Sequence, residues 1–269
     1  MKNVIVFCGK KQSGKSSSAK LICGSEMMRL GMFDNLNISD NGDVGTTNPN
    51  GTDIIIDFDS KNLRAIDFFS NNLWPTVRKF SFADRLKLAV NQVFSISPSL
   101  MYGTDEEKNS LTHVKLSDLF GMLDVSLVNS MKKTMSPDDF LSIRKLLQLF
   151  GTNICRRIDD KCWINGLLND ITDYGSELSI VDDCRFKNEV YAMREFGAII
   201  IKFDRSAGDD IHSSEKDLDD IDLNVFDLVI DNRSMTLLDK NELVVNWLQG
   251  KGIISKGYQE SGITRAKLV

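Results

Sequence analysis

Near its N-terminus the chain reads NVIVFCGKKQSGKSSSAK, residues 3–20. A β-branched run, then Gly, four residues, Gly-Lys-Ser, then a helical stretch constrains the fold more than any other segment. NVIVF predicts a buried strand. From Lys15, KSSSAKLICGSEMMRLG has helical spacing, with Gly31 placed as a C-cap. Gly9 and Gly14 allow the backbone between them to curl so that its N–H groups point inward, and the helix N-terminus adds partial positive charge. Such a loop suits a di- or triphosphate: Lys15 reaches the β and γ oxygens and Ser16 ligates Mg²⁺. The candidate ATP-binding set is Gly9, Lys11, Ser13, Gly14, Lys15, Ser16 and Ser17, with Ser16 the metal ligand. A Gly-rich turn with chance lysines is the plain alternative, but strand, loop and helix follow in the order the mechanism requires.

Composition narrows the partners. The chain has 269 residues, 42% hydrophobic and 26% charged, enough for one large domain or a domain with a sizeable insertion. A net charge of −5 lacks the basic footprint of a nucleic-acid binder, so a DNA or RNA polymer is not an expected partner. A small anion remains compatible, because local positive charge can sit in a negative shell. Five scattered cysteines with no CxxC pair argue against a disulfide framework or a zinc site and suit a reducing cytoplasm. The N-terminal apolar run is too short for a signal peptide and no stretch reads as a membrane span, so a soluble cytoplasmic protein is expected.

Residues 34–53, rich in Asn, Asp and Gly, read as an exposed loop or hairpin, with a strand in IIIDF at 54–58. KFSFADRLKLAVNQVF passes from an extended start into an amphipathic helix with Leu86, Val90 and Val93 on one face. SPDDFLSIRKLLQLFGTNICRRI predicts a longer helix capped by Ser136, with Pro137 in its first turn. CWINGLLNDITDYG, NEVYAMREFG and MTLLDKNELVVNWLQG are helices; LSIVDD, AIIIKF and DLVIDN are strands. Strands alternating with helices predict an α/β fold, a P-loop NTPase-like three-layer sandwich with a mainly parallel sheet flanked by helices. The expected organisation is a single domain over 1–250, an insertion at about 34–78, a helical substrate-binding portion at about 84–170, and a polar tail at 251–269.

Ligands in open α/β sheets bind beyond the carboxyl ends of the strands. That places Asp183, Arg185 and Glu189 of DDCRFKNE where a substrate should lie. Arg185 could clamp a phosphate bidentately, and Asp183 could accept a hydrogen bond from substrate or a Mg²⁺-bound water; an exposed ion pair is the alternative. With Lys15 these two are the candidate catalytic residues. Lys87, a helical turn after Ala83 in SFADRLK, could meet a phosphate or be a surface lysine. Arg144 and Gln148 share a helix face at i and i+4 and could point at a nucleotide or at solvent. Trp163 could stack on a base or be core. Of the two histidines, His113 and His212, the latter reads as a loop-ordering residue rather than a base.

These segments, in this order, resemble the phage deoxynucleoside monophosphate kinases of the T-even bacteriophage type. The resemblance rests on GKKQSGKS, SFADRLK, YGTDEEKN, RKLLQLFGTN, CW, IVDDCRFKNEVYAMREFGAIIIKF, IHSSE and FDLVIDN. It implies transfer of the ATP γ-phosphoryl group to a deoxynucleoside monophosphate with Mg²⁺, in a host-cell cytoplasm. It also implies a substrate pocket of Lys87, Asp105, Lys108, Arg144, Trp163, Asp183, Arg185 and Glu189, with Gly151 and Thr152 closing the turn beside it. Phosphoryl transfer asks the protein for alignment, charge and exclusion of water, so closure over both nucleotides is expected. Asn232 and Arg233, after the last strand, are candidate adenine contacts. Base preference and a homodimer stay open. The rival readings are a kinase for another small acceptor, such as dephospho-coenzyme A or a nucleoside, and a regulatory protein that binds ATP without transferring phosphate.

Overall fold

The computed structural model describes residues 3–205, 218, 220–255 and 263–265, the last three by their backbone alone. The first elements are strand β1 (Asn3–Gly9), helix α1 (Lys15–Arg29), strands β2 (Leu36–Ile38), β3 (Val44–Thr47) and β4 (Asp53–Ile55), helix α2 (Leu63–Asn72) and strand β5 (Val77–Phe80). Next come α3 (Phe82–Phe94), α4 (Pro98–Tyr102), α5 (Asp105–Asn109), β6 (Leu111–Lys115), α6 (Val125–Met131), β7 (Phe140–Ser142), α7 (Ile143–Gln148), α8 (Arg156–Ile158) and α9 (Cys162–Tyr174). The last are β8 (Leu178–Cys184), α10 (Lys187–Glu195), β9 (Ile199–Phe203), β10 (Leu228–Ile230), α11 (Leu237–Gly250) and β11 (Ile263–Arg265).

The chain divides into two compact units, one of Met1–Ser81 with Asp170–Val269 and one of Phe82–Asn169. The first holds a five-stranded sheet in the order β10-β9-β1-β8-β5. Every pair in it is parallel, with Ile5 of β1 opposite Ile180 on one side and Ile199 on the other. A parallel sheet must be covered on both faces, which is why its strands read as nearly unbroken apolar runs. Ile5, Phe7, Ile180 and Ile201 share a buried core with Ile22 of α1 and Val244 and Leu248 of α11. The predicted α/β class and mainly parallel sheet flanked by helices are therefore present.

The segment expected as an exposed loop or hairpin does pair as antiparallel strands, β2 with β3 and β3 with β4, but part of it is buried. A second sheet runs β11-β2-β3-β4, and Leu36, Ile38 and Val44 are buried in a cluster with Leu21 of α1 and Val245 of α11. Its polar residues satisfy one another. Asn35 accepts from the Thr47 N–H at 2.7 Å and donates to the Thr47 carbonyl at 2.9 Å, while Asn37 donates to the Thr47 hydroxyl at 2.7 Å. Pairing of this kind removes the cost of burying amides, so a segment that looks solvated packs as framework.

The second unit has its own core, with Val90, Leu116, Leu119, Leu141, Ile143 and Leu146 at its centre. Two sequence expectations fail here. Ser136 caps no helix: its N–H donates to Asp139 at 2.7 Å in a turn, Phe140–Ser142 extends to pair with β6, and α7 begins only at Ile143, capped by the Ser142 hydroxyl, which accepts from the Lys145 N–H at 3.2 Å. A short antiparallel pair thus replaced the predicted first turns. Val93 is 63% exposed, so the buried stripe of α3 is narrower than its spacing suggested.

Candidate active site

Three elements meet at the carboxyl edge of the parallel sheet: the β1–α1 loop, the end of β8, and the start of α11. The loop needs its glycines. Gly9 has φ +148° and a Cβ there would lie 2.6 Å from the Phe203 carbonyl oxygen; Gly14 has φ +89° and its Cβ would lie 2.6 Å from Lys240 Nζ. Gln12, at φ 60°, completes the curl. Gly14 is the N-cap of α1, and no acidic residue occupies the first turn to neutralise the positive end of the helix. Lys15 Nζ donates to the Gly9 carbonyl at 2.7 Å and the Lys10 carbonyl at 2.6 Å, which holds the ammonium across the loop.

A buried polar layer supports the loop from beneath. Lys240 of α11, 1% exposed, donates to the Gly14 carbonyl at 2.6 Å and the Ser17 hydroxyl at 2.9 Å. Asn232 Nδ2 donates to the Ser13 carbonyl at 2.9 Å, and the Ser18 hydroxyl donates to Asn241 Oδ1 at 2.8 Å. Asn232, one of the two candidate adenine contacts, is buried and supports the loop through its Nδ2; Arg233, the other, pairs with Asp231 and is exposed.

Burial, with Arg205 and Lys15 nearby, pushes the Lys240 ammonium down to about 7 from 10.5. Below about pH 7 the group is charged in both folded and unfolded states, and the full cost of burying it is present. Between there and 10.5 the unfolded chain binds the extra proton, so stability rises with pH by up to ~1.4 kcal/mol per unit. Denaturant titrations from pH 6.5 to 9.5 should show that rise, and Lys240→Met should flatten it.

At the end of β8, alternation sends adjacent carboxylates different ways. Asp182 is buried. Desolvation raises its pKa, opposed by Lys79, whose Nζ lies 3.3 Å from it and 2.6 Å from Asp59. The Ser16 hydroxyl also hydrogen-bonds Asp182. A hydroxyl beside a carboxylate at the mouth of a phosphate loop is the hard-oxygen chemistry that Mg²⁺ takes, with phosphate and water as its other ligands. No group of three His, Cys, Asp or Glu that could hold a metal exists among the described residues. Asp183 accepts from the Ser81 hydroxyl at 2.6 Å.

Glu189, expected in the substrate pocket, is instead a backbone cap. Its Oε2 accepts from the N–H groups of Arg185 and Phe186 at 2.9 and 3.0 Å, and the residue is 2% exposed. A buried carboxylate oxygen that accepts from two amides at a helix start fixes the Arg185 turn.

Gln12–Ser17, Asp182, Asp183 and Arg185 line one cleft of about 830 Å³, within the range of nucleotide-sized sites. Arg205, the β2–β3 turn and Met235–Asp239 form the rest of its wall. The glycine-bounded loop and Arg185 thus open on the same space.

The remaining candidates belong to the second unit. Lys87 Nζ sits 3.7 Å from the centroid of Tyr102, whose hydroxyl donates to Asp84 at 2.6 Å. Arg144 is paired with Asp105 at 2.6 Å and donates to Asn109 at 3.1 Å. Lys108 and Gln148 are half-buried. Gly151 and Thr152 lie in a π-helical turn, Leu149–Cys155, that follows α7. Leu86 packs so closely that a Cβ on Gly151 would come within 2.7 Å of it. Trp163 is not an open stacking platform: it is 9% exposed and its Nε1 donates at 3.1 Å to the Gly151 carbonyl, which also accepts from the Arg156 N–H at the end of the π turn. His113 is exposed on β6, and His212 lies outside the described residues.

Sequence reasoning missed Asp182, Lys240 and Arg205. Only Asp182 had a signal, the doubled carboxylate at a strand end beside a loop strand; the other two are brought in by tertiary structure.

Comparison with known proteins adds a family. The model described as deoxynucleotide monophosphate kinase matches residues 78–240, a span that contains Asp182, Asp183, Arg185 and Lys240 and begins after the phosphate loop. A protein of Acanthamoeba polyphaga mimivirus named "Putative deoxynucleotide monophosphate kinase" is 30% identical over 170 residues, covering 56% of this chain and 73% of its own.

Proposed function

We propose that this chain, which belongs to the deoxynucleotide monophosphate kinase family, moves the γ-phosphoryl group of ATP to a deoxynucleoside monophosphate, giving the diphosphate and ADP. The observation that carries this reading is one cleft lined by Ser13–Ser17 together with Asp183 and Arg185. A sensor that only binds ATP needs no second anion site.

The loop amides and Lys15 take the β and γ phosphates, and the ammonium leaves the Gly9 and Lys10 carbonyls for the stronger charge. Arg185 clamps the acceptor's phosphate, bringing an oxygen in line with the γ phosphorus. That oxygen is already ionised near neutral pH, so the new P–O bond forms without a general base while the β–γ bridging oxygen departs with ADP. Asp183, oriented by Ser81, accepts a hydrogen bond from the acceptor side. Ser16, backed by Asp182, would hold Mg²⁺, which when bound would neutralise charge on the reacting phosphates. By the family resemblance, Lys87, Asp105, Lys108 and Arg144 serve acceptor binding, with Gly151 and Thr152 closing the turn beside the pocket; Gln148 joins them on its i, i+4 spacing from Arg144. The phage setting, nucleotide metabolism in a host cytoplasm, rests on the same resemblance. No helix among the described residues is long and apolar enough to cross a membrane.

The test is ADP release from ATP across dAMP, dCMP, dGMP, dTMP and their ribo counterparts, with dephospho-coenzyme A and nucleosides as competing acceptors. Turnover with at least one deoxynucleoside monophosphate is expected; turnover only with the other acceptors, or none, overturns the reading. Gly14→Ala should weaken ATP binding at least about tenfold, since it loses a left-handed backbone and displaces Lys240. Calorimetry, with circular dichroism to check folding, measures it.

A further inference from the structure

One wall of the cleft comes from residues that the family match, which begins at Arg78, does not include. The turn joining β2 and β3, Ser39–Asn41, lines the cleft together with Ile38. It is fixed in place. Gly42 at φ +84° lets the turn approach the phosphate-loop helix so closely that a Cβ would lie 2.6 Å from that of Ser17. Lys20 of the same helix holds Asp43 at 2.8 Å. Within the turn, the Ser39 hydroxyl accepts from the Asp43 N–H at 3.0 Å.

Position decides what this wall meets. Ser17 follows Lys15 and Ser16, the residues assigned to the β and γ phosphates and their ion, whereas Asp183 and Arg185 of the acceptor side sit at the end of β8. A ligand running from the loop past Ser17 therefore reaches the hairpin turn, which Gly42 seats against Ser17, and the start of α11. The chemistry there suits a nucleoside. Met235 and Leu237, both half-buried, are apolar surfaces for ring faces, and Asp40 and Asn41, both exposed at the rim, are polar groups for hydrogen-bonding edges.

We propose that the β2–β3 turn and the start of α11 form the seat of the donor's nucleoside, with Asp40 and Asn41 binding the polar edge of its ribose or base. This rests on the reading of the loop as the ATP phosphate site. A rigid turn held against the phosphate loop is preorganised for such contacts, so little ordering cost is incurred on binding.

The experiment compares ATP with inorganic tripolyphosphate, which fills the loop and has no nucleoside. For the full chain carrying Asp40→Ala with Asn41→Ala, calorimetry should show ATP binding weakened by about tenfold, as expected for two lost hydrogen bonds. Tripolyphosphate affinity and the KM for the deoxynucleoside monophosphate should stay within about twofold of wild type. Unchanged ATP affinity, or parallel loss of ATP and tripolyphosphate, overturns the seat. If the wild-type protein binds ATP yet phosphorylates no acceptor, the kinase proposal fails on its own, and the ratio of the two affinities still decides this one.

Discussion

Lys15→Met should lower kcat by about 10²–10³-fold, the usual effect of deleting one preorganised group that meets charge developing in the transition state. Its ammonium rests on the Gly9 and Lys10 carbonyls at 2.7 and 2.6 Å, positions from which it can rotate onto a phosphate without rearranging the loop. Methionine keeps the length and the buried stem, so the glycine-lined curl should persist and ATP affinity should fall less than turnover. Single-turnover measurement at saturating ATP separates the two effects. Near-normal turnover would remove Lys15 from the reacting phosphates.

The second large effect is expected at Arg185. Arg185→Ala should reduce kcat/KM for the deoxynucleoside monophosphate by about 10²–10³-fold, because a guanidinium that pairs bidentately with phosphate is worth several kcal/mol in a partly desolvated cleft. The Kd of ATP should move by less than about threefold, since the loop amides and Lys15 do not depend on it. Arg185→Lys should recover only part of the loss, a point charge replacing a fork. Glu189, whose carboxylate holds the Arg185 and Phe186 amides, orders this turn. Glu189→Gln should therefore mimic Arg185→Ala weakly while also costing stability. Equal damage to ATP and acceptor by Arg185→Ala would place the guanidinium on the donor side.

The parts of the site legible in the sequence are those whose geometry is local. Gly9 and Gly14 are spaced by the loop they close, and their φ values of +148° and +89° are what glycine at those positions implied. Strands of a buried parallel sheet announce themselves by continuous apolar runs, so the fold class followed from NVIVF, LSIVDD and AIIIKF. Long-range support was silent. Lys240 reads as an ordinary helix lysine, and only the crossing of α11 beneath the loop buries its amine against Gly14 and Ser17. Asn232 and Glu189 carry polar groups that looked available for ligands, yet both side chains are buried, with Asn232 Nδ2 and Glu189 Oε2 bonded to backbone groups. The β2–β3 hairpin misled for the opposite reason: its Asn and Thr side chains suggested solvent, while their mutual hydrogen bonds let Leu36, Ile38 and Val44 enter the core.

Two anion sites sharing one cleft is the claim that a bisubstrate ligand probes directly. Adenosine and deoxythymidine joined through five phosphates can engage both sites only if they face one another at the spacing of in-line transfer. Such a ligand should bind about 10²-fold or more tightly than ATP, because the second contact becomes intramolecular, and Lys15→Met and Arg185→Ala should each erase most of that gain. Affinity no better than that of ATP, indifferent to Arg185 and unchanged when another deoxynucleoside replaces deoxythymidine, would mean that the guanidinium serves some other purpose and that no phosphate crosses this cleft.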